Sequence, residues 1–326
     1  MESLRLENGD LVLITGVAGF IGSNLAEKCL ELGIRVRGID NFSNGKIENI
    51  KEFLTNNNFE FYEGDICDYK LCEKICKDVK YVFHEAAWGS VPKSINKPLD
   101  YTLNNILGMH NMLHASYVNN VKTFVYASSA SVYGDNDDKI KKVGREGNLL
   151  SPYALTKQTD EEIAKLYYRV YNFRTIGLRY FNVFGKKQNP YSEYSAVIPK
   201  FTKAILENKD IIINGTGTQS RDFTYIDNVV DANLKACVAS ESANGRIFNV
   251  ACGKNTSVND IYKILSDILK KDTNVKYGEE RKGDIKNSLA DIEETYNVLK
   301  YKPIYNVREG LEKTVKWYVE NFKIER

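Results

Sequence analysis

An apolar run, Leu11-Val12-Leu13-Ile14, leads straight into Thr15-Gly16-Val17-Ala18-Gly19-Phe20-Ile21-Gly22. No other stretch limits the fold as much. A strand that turns sharply into a helix, and lets another group approach its backbone, needs residues without a Cβ at three places: the turn, the closest approach and the helix–strand contact. The N–H groups of the helix's first turn then point at whatever sits above the turn, and an anion suits them. Gly16, Gly19, Phe20, Ile21 and Gly22 are therefore candidate contacts to the pyrophosphate of a dinucleotide. Taken alone the pattern is weak, because ordinary turns also use glycine.

A second segment strengthens it. Arg35-Val36-Arg37-Gly38-Ile39-Asp40 ends eighteen residues past Gly22 on a carboxylate, where both hydroxyls of an adenosine ribose can be bound. A 2′-phosphate would be repelled there, so NAD is expected rather than NADP. Gly64-Asp65-Ile66 closes a third apolar run and places Asp65 to receive an adenine amino group, although acidic residues also cap helices at such positions.

Residues 10–180 alternate short apolar runs with longer amphipathic stretches: DLVLIT, RVRGID, FEFYEGD, KYVFHEAA, KTFVYASS and RTIGLRYF read as strands separated by helices. This predicts an α/β fold, a Rossmann doubly wound parallel sheet. After residue 180 the regularity weakens, and Asn189-Pro190, Pro199, Asn214-Gly215-Thr216-Gly217 and Lys302-Pro303 mark loops of a smaller α/β C-terminal substrate lobe. The segment FTYIDNVVDANLKACVAS followed by GRIFNVAC reads as a return to the sheet. The expected division is a dinucleotide-binding domain over 1–180, with a return segment about 222–250, and a substrate lobe built from 181–221 and 251–326.

Composition excludes several classes. The chain has 326 residues, 43% of them hydrophobic, which is enough for a large α/β core and argues against disorder. A net charge of +2, with basic residues spread among acidic ones, gives no expectation of a nucleic-acid partner. No apolar run approaches the ~20 residues that cross a bilayer, and the first residues lack a signal h-region, so a cytoplasmic protein without a membrane partner is expected. Six cysteines, with Cys67, Cys72 and Cys76 the only cluster, lack paired C-x-x-C spacing and are expected to be reduced thiols. His110 and His114 lie four apart but without the acidic partner of H-E-x-x-H, and no metal is expected.

Tyr153 and Lys157 stand at i and i+4, one above the other on a helix face. A nearby cation stabilises a phenolate and makes a phenol a usable base toward a hydroxyl. The spacing recurs at Tyr296 and Lys300, where helix packing is the reading. Only Tyr153 follows a serine-rich strand end, Ser128-Ser129-Ala130-Ser131-Val132-Tyr133-Gly134, by the length of one loop. Strand ends are where open parallel sheets gather ligands, so Ser129 is expected to meet Tyr153 over a nicotinamide.

These motifs, with HEAA at 84–87, NN at 104–105 and RYFNVFG at 179–185, resemble the extended short-chain dehydrogenases of the NAD-dependent epimerase/dehydratase family over nearly the whole chain. More narrowly, GSVPKSI at 89–95, SAVIPKF at 195–201, INGTGTQSRDFTYIDN at 213–228 and KGDIKNSLADI at 282–292 resemble bacterial UDP-N-acetylglucosamine 4-epimerases of polysaccharide biosynthesis. The resemblance implies further NAD contacts at Asn41, Ile66, Ala86, Ala87, Asn105, Ser128 and Tyr180. It also implies a mechanism. Tyr153 takes the proton of the sugar 4-hydroxyl while hydride leaves C4 for NAD, Ser129 binds the same oxygen, and Lys157 holds the nicotinamide ribose. The resulting 4-keto sugar turns over and receives the hydride on its other face.

The same resemblance places the UDP on Asn182, the backbone around Val197 and Ile213, Arg221, Arg281 and Asp284. A guanidinium suits a diphosphate through paired charge-assisted hydrogen bonds, while a surface ion pair, notably Arg221 with Asp222, is the alternative. Ser90, Ser94 and Ser131 fall beside the sugar, and Ser288 aligns with a position that gates the pocket for an N-acetyl group. Two residues depart from these relatives: Trp88 in place of a leucine, and Ala130 in place of a serine. Trp88 adds bulk by the sugar loop or simply packs. UDP-GlcNAc/UDP-GalNAc interconversion is the expected activity, with UDP-Glc/UDP-Gal as a possible second pair. A UDP-uronate or UDP-N-acetylhexosaminuronate 4-epimerase is the alternative, since Lys93 suits a carboxylate. A dehydratase would need an Asp-Glu pair where Ala130-Ser131 stands, and a catalytically silent NAD sensor would have no use for Tyr153, Lys157 and Ser129. Relatives pair through two helices, which here are those near 100–118 and after Tyr153, so a homodimer is expected.

Overall fold

A computed structural model of the protein describes residues 6–190, 196–279 and 287–321. Seven parallel strands form the central sheet: β1 (Leu11–Thr15), β2 (Arg35–Asp40), β3 (Phe59–Glu63), β4 (Tyr81–His84), β5 (Thr123–Ser129), β6 (Thr175–Tyr180) and β7 (Arg246–Val250). Their order across the sheet is β7-β6-β5-β4-β1-β2-β3. All five residues of β1 are buried, as continuous apolar strands must be when helices cover both faces. One face packs Val12, Ile14, Phe83, Val125 and Phe248, and the other packs Leu13, Val82, Phe124, Met112 and Leu113. Each such fully buried side chain is worth about 1.5–3 kcal/mol relative to exposure.

The strand order reverses between β1 and β4, where Thr15 pairs with His84 on one side and with Ile39 on the other. Ligands of open parallel sheets bind in the crevice at that reversal, outside the carboxyl ends of the strands. Helix α1 (Phe20–Glu31) starts directly after Gly19 and stops at Leu32 and Gly33, the latter with φ +73°.

After β6 the chain leaves the sheet, and it returns only for β7. A second sheet of four short strands has the order Asn255–Ser257, Ser220–Asp222, Asn287–Ala290, Ile140–Lys141. Its last strand comes from the loop that precedes Tyr153, so this sheet takes a piece of the N-terminal half. Strands Ile211–Asn214 and Val275–Gly278 pair separately beside the helix Val197–Leu206. Among the described residues no helix is long and apolar enough to cross a membrane. All six cysteines are free thiols, and His110 and His114 both contact the Tyr167 hydroxyl, at 3.1 and 3.0 Å.

Candidate active site

The glycine turn is built for close approach. Gly16 has φ +64°, and a Cβ there would lie 2.9 Å from the Ala86 Cα. A Cβ on Gly22 would lie 2.3 Å from the Gly16 carbonyl oxygen, and one on Gly19 would lie 3.0 Å from the same atom. The first two are distances real side chains do not show and the third is tight, so the cradle between β1 and β4 depends on glycine at Gly16 and Gly22 above all. Above it lies a cleft of about 470 Å³, within the range of cofactor pockets. Gly16, Gly19, Phe20, Ile21, Gly22, Asp40, Asn41, Ile66, Ala86, Ala87, Ser128, Ser129, Tyr153, Lys157 and Tyr180 all line it. A cradle of this kind at a helix N-terminus fits a dinucleotide, because its N–H groups suit a pyrophosphate.

Asp40 lines the cleft at the end of β2. Its oxygens accept the N–H groups of Ala18 (2.9 Å) and Phe42 (2.8 Å), while burial pushes its acid above the ordinary range against those hydrogen bonds. Asp65 does not line the cleft, although its neighbours Gly64 and Ile66 do. Its carboxylate accepts the Cys67 N–H at 2.8 Å and the Asn41 amide at 3.0 Å, as a turn-capping aspartate does.

The helix Pro152–Tyr171 delivers the tyrosine and the lysine. Ser151 caps it by accepting the Ala154 N–H at 3.1 Å, and Pro152 occupies the first turn, where a missing N–H costs nothing. Lys157 is buried and donates to the Ala127 carbonyl at 3.0 Å and to Asp160 at 3.2 Å. Burial works against its charge, but Asp160 and Tyr153 more than offset this and hold the ammonium above its usual pKa. The Ser129 hydroxyl accepts the Ser131 N–H at 3.1 Å, and Ser128 donates to Glu161 at 2.6 Å.

Asn105 lies behind the cleft. It is buried, accepts the Trp88 N–H at 2.8 Å, and donates to the Trp88 carbonyl at 3.1 Å and to Thr156 at 3.0 Å. It clamps the loop after β4 to the Tyr153 helix, and Asn104 is the asparagine that lines the cleft. Trp88 also lines it, packs edge-on to Tyr101 at 5.6 Å, and carries the Lys93 ammonium 3.9 Å from its ring centre. Tyr101 in turn packs edge-on to Tyr153 at 6.2 Å and holds the Ser90 backbone through both its N–H and its carbonyl.

A second cavity, about 640 Å³, adjoins the first and shares Gly89, Asn182 and Val183 with it. Ser90, Val197, Ile213 and Arg221 line this cavity, as do Lys200, Phe201, Asn214, Gln219 and Phe223. Asn182, at φ +35°, turns the chain at the junction. The Asp222 carboxylate accepts the backbone N–H groups of Cys252, Gly253 and Ala290, with burial raising its pKa to about 6. Ser288 is buried and pairs in register with Arg221, while Ser94 is buried with its hydroxyl on the Val91 carbonyl. Ser131 is half-buried, and its hydroxyl has no hydrogen-bond partner. Arg281 and Asp284 lie outside the described residues.

Two groups at the end of β4, the buried His84 and the half-buried Glu85, are absent from the sequence-based list. His84 receives or donates a hydrogen bond at Thr15 (3.0 Å), and burial together with the Lys157 charge pushes its pKa down to about 3. Glu85 lines the cleft, accepts from the Tyr180 hydroxyl at 2.8 Å, and is pushed up to about 8 by burial. His84 and Glu85 both fall in the HEAA segment at 84–87, where Glu85 reads only as an acidic residue closing an apolar strand. Tyr296, of the second Tyr-Lys pair, is exposed on the short helix Glu293–Leu299, and Lys300 ends that helix with φ +58°.

A glycine cradle at the switch point of a Rossmann sheet, with a tyrosine and a buried ammonium facing it, is the site of a dinucleotide-dependent enzyme. Comparison with known proteins gives the particular family. The chain belongs to the NAD dependent epimerase/dehydratase family, whose model matches residues 12–251. It is 36% identical over 313 residues to a putative UDP-glucose 4-epimerase of Methanocaldococcus jannaschii, covering 95% of this chain and 99% of that one. It is 35% identical over 321 residues to the UDP-glucuronate 4-epimerase of Thermodesulfobacterium geofontis, covering 96% and 97%. Among solved structures, a UDP-N-acetylglucosamine 4-epimerase from Methanobrevibacter ruminantium, in complex with UDP-N-acetylmuramic acid, superposes with a TM-score of 0.92. That protein is 39% identical, and the match covers 97% of this chain and 100% of that one. The chain is thus an NAD-dependent UDP-sugar 4-epimerase, an isomerase.

Proposed function

We propose that the enzyme interconverts UDP-GlcNAc and UDP-GalNAc. The observation that carries this reading is the junction of the two cavities at Asn182 and Gly89, with Tyr153 and Ser129 on one side and Arg221 on the other. A UDP held in the second cavity reaches with its hexose toward the phenol in the first. Likeness to the Methanobrevibacter enzyme supports the acetamido sugar, as do the small residues Ser90 and Ser288.

NAD, when bound, supplies the hydride acceptor and donor. The protein's own residues manage the proton and the position. Tyr153 takes the proton of the 4-hydroxyl and returns it to the same oxygen, Ser129 holds that oxygen by a hydrogen bond, and Lys157 keeps a positive charge beside the phenol. Arg221 and Asn182 anchor the nucleotide, while the backbone near Val197 and Ile213 flanks it. Arg281 and Asp284 are assigned to the same task from the sequence resemblance. A firmly held diphosphate and a loosely held hexose are what inversion by rotation requires, since equally tight contacts to one pose would hinder the swing. Residues 1–180 with the return near 222–250 form the cofactor domain in this reading, and 181–221 with 251–326 form the substrate lobe.

A uronate substrate is the second reading, favoured by the Lys93 ammonium seated on Trp88 at the sugar loop. Incubation with UDP-GlcNAc, UDP-glucose and UDP-glucuronate, each followed by chromatography, separates the two. A UDP-GalNAc product supports the first, and conversion of UDP-glucuronate alone replaces it. Tyr153→Phe should lower turnover at least ~100-fold while UDP-sugar binding persists. An undiminished rate would remove the phenol from the mechanism.

We also propose a homodimer in the cytoplasm. Leu99, Leu103 and Leu107 are exposed on 98–107, as are Leu155, Leu166 and Val170 on the Tyr153 helix, and an apolar face of this kind suits a second copy. Light scattering that gives the mass of one chain at micromolar concentration would rule out the dimer.

A further inference from the structure

The charge of Lys157 is met inside the protein by a carboxylate that the proposed reaction does not use. Asp160 lies one turn further along the same helix and is fully buried; its Oδ2 is 3.2 Å from the Lys157 Nζ, and its Oδ1 has no hydrogen-bond partner. A carboxylate in this position is a poor packing residue. Taking it out of water is costly, one oxygen is left unsatisfied, and an apolar side chain of similar volume would fill the space without that cost. The charge therefore has a use.

Other groups around the ammonium supply less of that charge than Asp160 does. From β4, His84 is held neutral by burial, and Glu85 has its acid pushed up to about 8 by burial, with Tyr180 on one oxygen. From β5, Tyr126 is a buried phenol that burial holds far above its usual range. On the helix itself, Glu161 is occupied by Arg179, at 2.7 Å to each oxygen, and by Ser128 at 2.6 Å. Besides Asp160, Lys157 feels the charge of Tyr153 and, less strongly, of Glu85. Burial raises the Asp160 acid too, but the Lys157 ammonium at 3.2 Å pulls it back toward the carboxylate.

We propose that Asp160 is a positioning residue for the Tyr153–Lys157 pair: its carboxylate fixes the ammonium and offsets part of the charge that Lys157 presents to Tyr153. The proposal rests on Tyr153 being the acid–base group. An epimerase asks one phenol both to take a proton and to give it back. An uncompensated ammonium would favour the first half and hinder the second, because efficient transfer in both directions needs a group balanced near the working pH. The buried counter-charge supplies that balance.

The test is the pH dependence of kcat/KM for Asp160→Asn, which removes the charge at nearly constant volume. It is measured on the NAD-loaded enzyme, with the UDP-hexose the chromatographic assay shows to be turned over. The acid limb should move to lower pH by roughly one unit, an approximately tenfold gain in kcat/KM below the wild-type limb. Bound NAD, read from the absorbance of the denatured supernatant, should stay at the wild-type level. A limb that does not move, whatever happens to the melting temperature, makes Asp160 a packing residue and overturns the proposal, as does a limb that moves upward. Should Asp160→Asn not fold, Asp160→Ser removes the charge with fewer polar atoms to satisfy and is read the same way. Tyr153→Phe run alongside separates the two ideas, because turnover surviving in that variant strikes at the base assignment and not at the Asp160–Lys157 contact.

Discussion

The carboxylate of Asp40 accepts the backbone N–H of Ala18 at 2.9 Å, so the end of β2 holds the glycine turn after β1 in shape. Each carboxylate oxygen offers two lone pairs, and the bonds from Ala18 and Phe42 leave capacity for ribose hydroxyls. Asp40→Asn sets an amide donor against one of these N–H groups. A melting temperature lowered by the equivalent of about 1–3 kcal/mol is expected. NAD affinity should fall at least ~10-fold, because a charge-assisted acceptor is lost. Calorimetry that gives wild-type NAD affinity would show that the ribose does not lie here.

Gly22→Ala tests the cradle without touching a polar group. The added methyl would lie 2.3 Å from the Gly16 carbonyl and 3.0 Å from the Val17 Cα, both backbone, so the turn itself must shift. Overpacking of this kind costs about 1–3 kcal/mol. The purified variant should carry no NAD, as the ratio of absorbance at 260 and 280 nm would report. A variant that keeps full cofactor would mean the pyrophosphate sits away from this turn.

Much of the lining of the cleft was legible because its signals are local. Gly16, Gly19 and Gly22 fall within seven residues, Asp40 closes the next apolar run, and Tyr153 and Lys157 are one helical turn apart. The asparagine pair was harder. Residues Thr102–Leu107 form a π-helical turn, and wide turns shift which side chains face the cleft. A period of 3.6 cannot report that shift, so Asn105 was expected at the cofactor where Asn104 lines the cleft. Glu85 found its partner Tyr180 across 95 residues, and Ile140–Lys141 joined the distant sheet as a strand of two residues, too short for any periodicity. Asp160 reads as one more acid on a charged helix until its burial is known.

Asn105 makes its own case. Asn105→Asp keeps the shape but turns a donor toward the Trp88 carbonyl into an acceptor, leaving that carbonyl without its amide donor, while Thr156 keeps only its bond to the Tyr153 carbonyl. A loss of about 1–3 kcal/mol is expected from the unsatisfied buried groups. The loop carrying Trp88 and Ser90 should loosen, so KM for the UDP-sugar should rise severalfold more than kcat falls. A kcat defect with unchanged KM would instead place Asn105 in the chemistry.

Glu85 predicts a stability that depends on pH, with a sign that can be worked out. Burial raises its acid in the fold to about 8, against 4.5 for an ordinary glutamate. Between those values the folded protein binds a proton that the unfolded chain has released, so the unfolding free energy falls as pH rises. The Glu85 contribution is therefore fully present below about pH 4.5 and is lost as pH climbs through 8. Burial also raises Asp160, against the pull of Lys157, and its contribution has the same sign. His84, lowered to about 3 by burial, has the opposite one: its contribution is present above 6.5 and is lost as pH falls through 3. A single melting curve mixes all three, so the variant is what isolates the glutamate. Glu85→Gln keeps a carbonyl oxygen for the Tyr180 hydroxyl and cannot ionise. Its melting temperature relative to wild type should rise steadily from about pH 5 to about pH 9. A difference that stays flat across that range would mean Glu85 carries its charge in the folded protein throughout, and that the end of β4 is better solvated than its burial implies.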